Sequence, residues 1–455
     1  MLVRFIVNNI LSFGEEKEFN MLPMPRLRTL KEHKYNINGL EVLKMASIYG
    51  ANGAGKSNLI KSLIMLENLI IEETSLVNFS DNKKFKFSKE EKPQTFIIEF
   101  IQNEKVFIYG LEIFNNIVLS EELYISGLGK KEDRLLFERT TDVETKKISL
   151  NIPLLESAEG KILKSVIEKN LSKASKTTFK LLTNLDSPDL SEIGIALQWF
   201  EESLVIVTPD AKPSALAHKI DSNENFKIYT EDLMKSFHIG IDNVEVKKKR
   251  LEEFFGENDL KKLDEITERV NTAKNKMIGI QINNGQEIII VKEKDDIYVK
   301  KLQIGHTGKD NIKAMFDLDE ESDGTIRLLD FAPAFQDVTN NKKVYIIDEI
   351  ERSIHPLLIK ELIRKFSKDT QSNGQLIFTT HESNLLDQNI FRQDEIWFAE
   401  KDKNGCTDLY SLSDYKEHNT IDIRKGYLMG RYGSIPFLGN LKDLNWHDYD
   451  IENQK

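Results

Sequence analysis

Eight residues constrain this chain more than any others: Gly50-Ala51-Asn52-Gly53-Ala54-Gly55-Lys56-Ser57. They fit the pattern G-x-x-x-x-G-K-[ST] without a gap. The mostly apolar run Leu43 to Tyr49 before them reads as a buried strand. After them, Leu59, Ile60, Leu63, Ile64 and Leu66 recur at helical spacing in the stretch that ends at Ile71. A strand, a glycine-rich turn and a helix start aim backbone N–H groups and a helix dipole at one point, which suits a phosphate chain. On this reading Asn52, Gly53, Gly55 and Asn58 form the cradle, Lys56 reaches the β- and γ-phosphates of ATP, and Ser57 ligates Mg²⁺.

The rest of the chain supports a soluble, multi-part protein. It has 455 residues, 40% hydrophobic and 30% charged, enough for two or three domains and a sizeable core. No stretch approaches the ~20 apolar residues of a membrane span. Met1 to Phe13 alternates like a strand and carries no signal-peptide pattern. The one cysteine, Cys406, lies in a polar turn and can form no internal disulfide, which fits a reducing cytoplasm. A formal net charge of −11 argues against a surface that coats nucleic acid, while leaving room for a local basic groove.

Downstream, Val344-Tyr345-Ile346-Ile347-Asp348-Glu349 is an apolar strand ending in two carboxylates, the Walker B pattern. Asp348 would hold Mg²⁺ through water and Glu349 would orient the attacking water as general base. Alone, the run reads equally well as a buried strand with an acidic turn; downstream of a P-loop the ATPase reading prevails. Glu351-Arg352-Ser353-Ile354-His355-Pro356 follows, then a helix over Leu357 to Phe366. The strand Leu376 to Thr380 then ends in His381, placed as the switch histidine that contacts a γ-phosphate. Upstream, Glu321-Ser322-Asp323-Gly324-Thr325 opens a helix bearing Ile326, Leu328, Leu329 and Phe331. Here the Ser322 hydroxyl and Gly324 N–H could grip a γ-phosphate as a signature motif does, and Ser322 or Asp323 could equally serve as an N-cap. The order P-loop, long insertion, signature, Walker B and switch histidine is that of ABC-type ATPases, in which the signature of one subunit faces the P-loop of another. A homodimer is then the minimal active unit.

The expected fold is α/β: a P-loop ABC-type ATPase head, a mixed sheet with flanking helices, split by a large and mainly helical insertion. Residues 1–83 form the N-terminal part of the head with the P-loop. Residues 84–152 form a β-rich part, with strands at Thr95–Ile101, Val106–Ile113 and Ile148–Ile152, that would cover base and ribose. Residues 153–277 form the insertion, and the charged stretch from Val244 to Met277 reads as a short helical hairpin, too short for a long coiled-coil arm. Residues 278–455 complete the head, with a hairpin turn at Asn283-Asn284-Gly285. Lys247-Lys248-Lys249-Arg250 is the densest basic run; a solvated helix face is preferred there to a DNA contact. Asp317 and Asp319 read as an acidic turn rather than half a nuclease site. His33, His218, His238, His306 and His447 show no metal-ligand spacing.

These motifs resemble the RecF/SMC-like branch of ABC ATPases. More narrowly, Ser47 to Ser57, Glu321 to Thr325, Asp348 to Pro356, Thr379-Thr380-His381 and Gly430-Arg431-Tyr432-Gly433 with Ile435-Pro436 resemble the AAA-type ATP-binding proteins of bacterial phage defence. That group includes the ATPase half of OLD-family nucleases and the ATPase subunit of PARIS systems. The resemblance implies pairing, or a higher homo-oligomer, through the ATPase heads. It also implies a separate effector, often a TOPRIM-type nuclease, and a phage-encoded trigger. The chain departs from the OLD pattern by ending too soon for a fused nuclease. It also has no evident Q-loop glutamine, Gln94 and Gln198 being the candidates. The alternative is a DNA-repair ATPase that clamps DNA, with a scaffold gated by bound ATP as a third reading.

Overall fold

The computed structural model describes residues 1–435 except 73, 75, 78, 156–157, 171–174, 186, 214, 257–259, 274, 282–286, 416 and 419–420. Its centre is a six-stranded sheet in the order Leu204–Val207, Val344–Ile347, Gln375–Thr380, Met45–Tyr49, Ile396–Lys401, Thr407–Ser411. The first five strands are mutually parallel and only the last turns back. Parallel strands are covered on both faces and so are largely apolar. Accordingly Met45–Tyr49, Val344–Ile347 and Gln375–Thr380 are buried at every position. Successive residues nonetheless point to opposite faces. Ala46, Ile48, Ile346 and Ile377 join one core with Leu59, Leu63 and Leu66 of helix Lys56–Ile71. Met45, Tyr49, Ile347, Leu376 and Phe378 join another with helices Asp323–Asn340 and Pro356–Lys368.

The first of these cores also takes in a seven-stranded antiparallel sheet: Ile148–Asn151, Arg134–Thr141, Ile117–Ile125, Lys105–Phe114, Gln94–Gln102, Leu2–Asn8, Lys17–Asn20. The N-terminal strands thus pair with each other and with Gln94–Gln102. Two strands of this layer, Ile117–Ile125 and Arg134–Thr141, go beyond the sequence reading. Their pattern is masked by buried charge. Glu121 and Arg139 are both shut from water, with Arg139 Nη1 3.7 Å from Glu121 Oε2. Glu121 also accepts from the Tyr109 hydroxyl (3.0 Å) and from the N–H groups of Thr178 (2.6 Å) and Phe179 (3.0 Å).

Between residues 153 and 277 helices do dominate, including Ala158–Asn170, Ser191–Gln198, Glu224–Ser236 and Leu260–Thr272. Two segments there correct the helical reading. Leu204–Val207 is the edge strand of the central parallel sheet, pairing with Val344–Ile347. A four-residue apolar run of this kind carries no periodicity that separates a buried strand from a helix. Ile241–Arg250, which includes the basic run, is also a strand rather than a helix face, paired along its length with Asp296–Thr307. It edges a five-stranded sheet with Glu287–Glu293, Met277–Gln281 and Lys313–Asp317. Exposed lysines on an edge strand discourage pairing with another chain. Helices Leu251–Phe255 and Leu260–Thr272 cover that sheet through Leu251, Leu263, Ile266 and Val270. The turn proposed at Asn283-Asn284-Gly285 lies outside the described residues.

Cys406 closes the polar turn that starts at Asp402, its N–H donating to Asp402 Oδ1 at 2.8 Å, and its side chain is buried, Sγ accepting the Gly14 N–H at 3.2 Å. The loop Met429 to Gly433 is ordered because Tyr432 is fully buried against Phe398, with ring centroids 5.7 Å apart. Among the described residues, no helix is long and apolar enough to cross a membrane.

Candidate functional site

The carboxyl edge of the parallel sheet collects the chemistry. Strand Met45–Tyr49 ends at the P-loop, Val344–Ile347 at Asp348 and Glu349, and Gln375–Thr380 at His381. Open α/β sheets bind ligands at this edge. Because Gln375–Thr380 lies between the other two strands, His381 falls between the P-loop and the acidic pair.

The loop itself needs its glycines. Gly50 and Gly55 have φ of 157° and 115°, and a side chain would collide with the Ala399 carbonyl at the first and with Thr407 at the second. Thr407 in turn donates to the Ala54 carbonyl at 2.9 Å, so the antiparallel edge strand braces the loop from behind. An open cleft of about 360 Å³ results. Asn52, Gly53, Gly55, Lys56, Ser57 and Asn58 line one part of it, and Glu349 and His381 another. Lys61 and Lys401 also line it, two cations that motif spacing did not single out.

Within the cleft Lys56 Nζ donates to the Gly50 carbonyl at 2.8 Å and lies 3.3 Å from His381 Nδ1. Burial pushes the Lys56 ammonium down to about 8, against the pull of Glu351, Asp348 and Glu349. Burial and the Lys56 charge lower the His381 imidazole as well, favouring the neutral ring that can accept from Lys56. The Ser57 hydroxyl donates to Asp348 Oδ1 at 3.2 Å. These two oxygens meet where a divalent cation bound to phosphates could be held. Among the described residues no group of three or more His, Cys, Asp or Glu side chains is arranged to hold a metal alone, so phosphate oxygens would complete the shell. The fit is that of a nucleotide–Mg²⁺ pair: a cradle of N–H groups, one lysine, one hydroxyl and one carboxylate.

Two further groups shape the acidic turn. The Thr379 hydroxyl donates to Asp348 Oδ1 and accepts the Glu349 N–H at 2.8 Å. Glu349 is left-handed, with φ of 51°. Glu351 accepts the His381 N–H at 2.5 Å. Neither Thr379 nor Glu351 carries a signal in sequence spacing, since each acts by a bond that only the sheet order creates.

Ser322 and Gly324 do not line this cleft. Ser322 is the N-cap of helix Asp323–Asn340, its hydroxyl oxygen accepting the Thr325 N–H at 3.1 Å. A side chain on Gly324 would sit 2.7 Å from the Ser353 carbonyl, in the turn after Glu349. The candidate glutamines lie elsewhere too: neither Gln94 nor Gln198 lines the cleft. Asp317 is engaged by Lys301 at 2.6 Å and Gln303 at 2.8 Å.

A parallel sheet whose P-loop strand and Walker B strand flank the strand of the switch position defines a P-loop ATPase head of the ABC and AAA type. Residues 45–387 match the family described as "AAA domain, putative AbiEii toxin, Type IV TA system", and the chain belongs to that family of ATP-binding ATPases. No curated protein matches the sequence. Among solved structures, the SmcHead bound to the C-winged helix domain of ScpA is 12% identical, with 91% of this chain and 99% of that one covered and a TM-score of 0.43. The SMC head domain from Thermotoga maritima gives 14%, 90% and 98%, and 0.38. The Smc head domain bound to the C-terminal domain of ScpA derived from Pyrococcus furiosus gives 13%, 95% and 98%, and 0.41.

Proposed function

We propose that the chain is an ABC-class ATPase that binds and hydrolyses ATP between two subunits and thereby controls a separate effector in anti-phage defence. The observation that carries the ATPase reading is the convergence of Lys56, Ser57, Asp348, Glu349 and His381 on one cleft. Lys56 and a Mg²⁺ held by Ser57 and Asp348 would neutralise transition-state charge, Glu349 would orient water, and His381 would face the γ-phosphate. Ser322 and Gly324, off the cleft of their own chain at the start of a helix, would close the cleft of a second copy. The effector, a nuclease (in this family often of TOPRIM type) or a toxin, and a phage-encoded trigger are parts of this reading that the family resemblance supplies.

The alternative is a RecF/SMC-like clamp on DNA. It would use the basic run, but Lys248 is paired with Glu293 and Arg250 with Asp296 at 3.2 Å, which leaves less charge for phosphates. The test is a tagged Glu349→Gln chain purified with its neighbouring genes present. The proposal expects ATP to stay bound, turnover at least ~10²-fold slower than wild type, and a stoichiometric protein partner. Unchanged turnover would remove Glu349 from its role; abundant nuclease-sensitive DNA without a protein partner would favour the clamp.

A further inference from the structure

Glu351 is the acid of the cleft region that the scheme above leaves without a role. It lies on the turn between strand Val344–Ile347 and helix Pro356–Lys368. Three successive residues of this turn are tied to the end of the neighbouring strand. The Glu349 N–H binds the Thr379 hydroxyl, the Ile350 N–H binds the Thr379 carbonyl at 3.1 Å, and Glu351 Oε1 takes the His381 N–H at 2.5 Å. The third tie differs from the others in using a side chain of the turn rather than its backbone, and in reaching past the last ladder residue, Thr380. At Glu382 the chain is already bonded back to the Thr380 hydroxyl at 3.0 Å. The Glu351 bond joins the His381 backbone to the turn, and the imidazole is also bonded to the Gly50 backbone.

The other oxygen of the same carboxylate, Oε2, is closed off from water and has no hydrogen-bond partner. A buried carboxylate oxygen left in that state is costly, and in a native structure calls for a reason. Glu351 is the first of the three carboxylates that oppose the lowering of Lys56, and it opposes the lowering of His381 too. Its charge thus sits against the two cleft groups that meet at 3.3 Å.

We propose that Glu351 is a positioning residue: through the His381 N–H its carboxylate holds the imidazole beside Lys56, facing the position of the terminal phosphate. The proposal rests on the ATPase reading given above. It predicts coupling between residues 351 and 381 that a merely structural acid would not show.

The experiment is steady-state ATP turnover by full-length wild type, Glu351→Ala, Glu351→Gln, His381→Ala and the Glu351→Ala/His381→Ala double variant. Glu351→Ala should lower kcat roughly 10- to 100-fold, the scale of a misplaced group, with KM within about twofold of wild type. Glu351→Gln should recover most of that loss, because its amide oxygen can accept the same N–H. In the His381→Ala background, adding Glu351→Ala should cost less than about twofold more, since the two act as one unit. If Glu351→Ala does not fold, Glu351→Asp, which keeps the charge but shortens the reach, replaces it with the same expectation. Losses that multiply in the double variant, or a change confined to KM, would overturn the proposal while leaving the ATPase reading intact. A wild-type chain that turns over no ATP would overturn both.

Discussion

At the residue scale one hydroxyl organises the acidic pair. Thr379 holds the Asp348 carboxylate and the Glu349 N–H together, and Glu349 keeps a left-handed backbone that a side chain ordinarily avoids. Thr379→Val keeps the shape and removes both bonds. It leaves the Glu349 N–H unpaired, at a cost of about 1–3 kcal/mol in stability. Turnover should fall with it, because both Mg²⁺ and water positions depend on this turn. A urea midpoint and a turnover rate both equal to wild type would contradict this. Motif spacing singled out Lys56, Ser57, Asp348 and His381, which the structure brings together at one edge of the sheet. It could not locate Thr379 or Glu351, whose partners lie on a neighbouring strand.

At the scale of elements, the long helix Asp323–Asn340 links the signature position to the central sheet. Its Asp330 carboxyl is pushed up to about 7 by burial, with Arg327 and Lys212 opposing. A folded-state value above the unfolded one, near 3.8, means that the protonated form favours the fold. That contribution is complete below the unfolded value and is lost as pH rises through about 7. Wild type should therefore lose stability relative to Asp330→Asn between about pH 4 and about pH 7, read as the difference in urea midpoints. A difference that stays flat with pH would contradict the assignment. The elements themselves were unevenly legible. Helix Lys56–Ile71 has clean periodicity and a loop that fixes its start. Strand Leu204–Val207 is a short apolar run among helices, and Ile241–Arg250 hides its pairing under a basic run that only its long partner Asp296–Thr307 explains. Ile117–Ile125 and Arg134–Thr141 place Glu121 and Arg139 where alternation calls for apolar residues.

At the scale of the whole molecule, the sheet order gathers every P-loop partner on one edge but leaves Ser322 and Gly324 away from it. A side chain at Gly324 would meet the Ser353 carbonyl of the segment that carries Glu349 and Glu351, so on the proposed reading the turn of one cleft would abut the signature offered to a second copy. A two-fold arrangement of copies would close two clefts at once, each made of one P-loop and one foreign signature. The most direct measurement combines two disabled chains. Lys56→Ala lacks a working P-loop but keeps its signature, and Ser322→Arg keeps its P-loop but blocks the signature. Each should be inactive alone. Co-expressed with different tags and purified through both, the mixed dimer should contain one intact cleft and turn over ATP at about half the wild-type rate. A mixed dimer as inactive as its parents, with wild type active, would contradict the shared site.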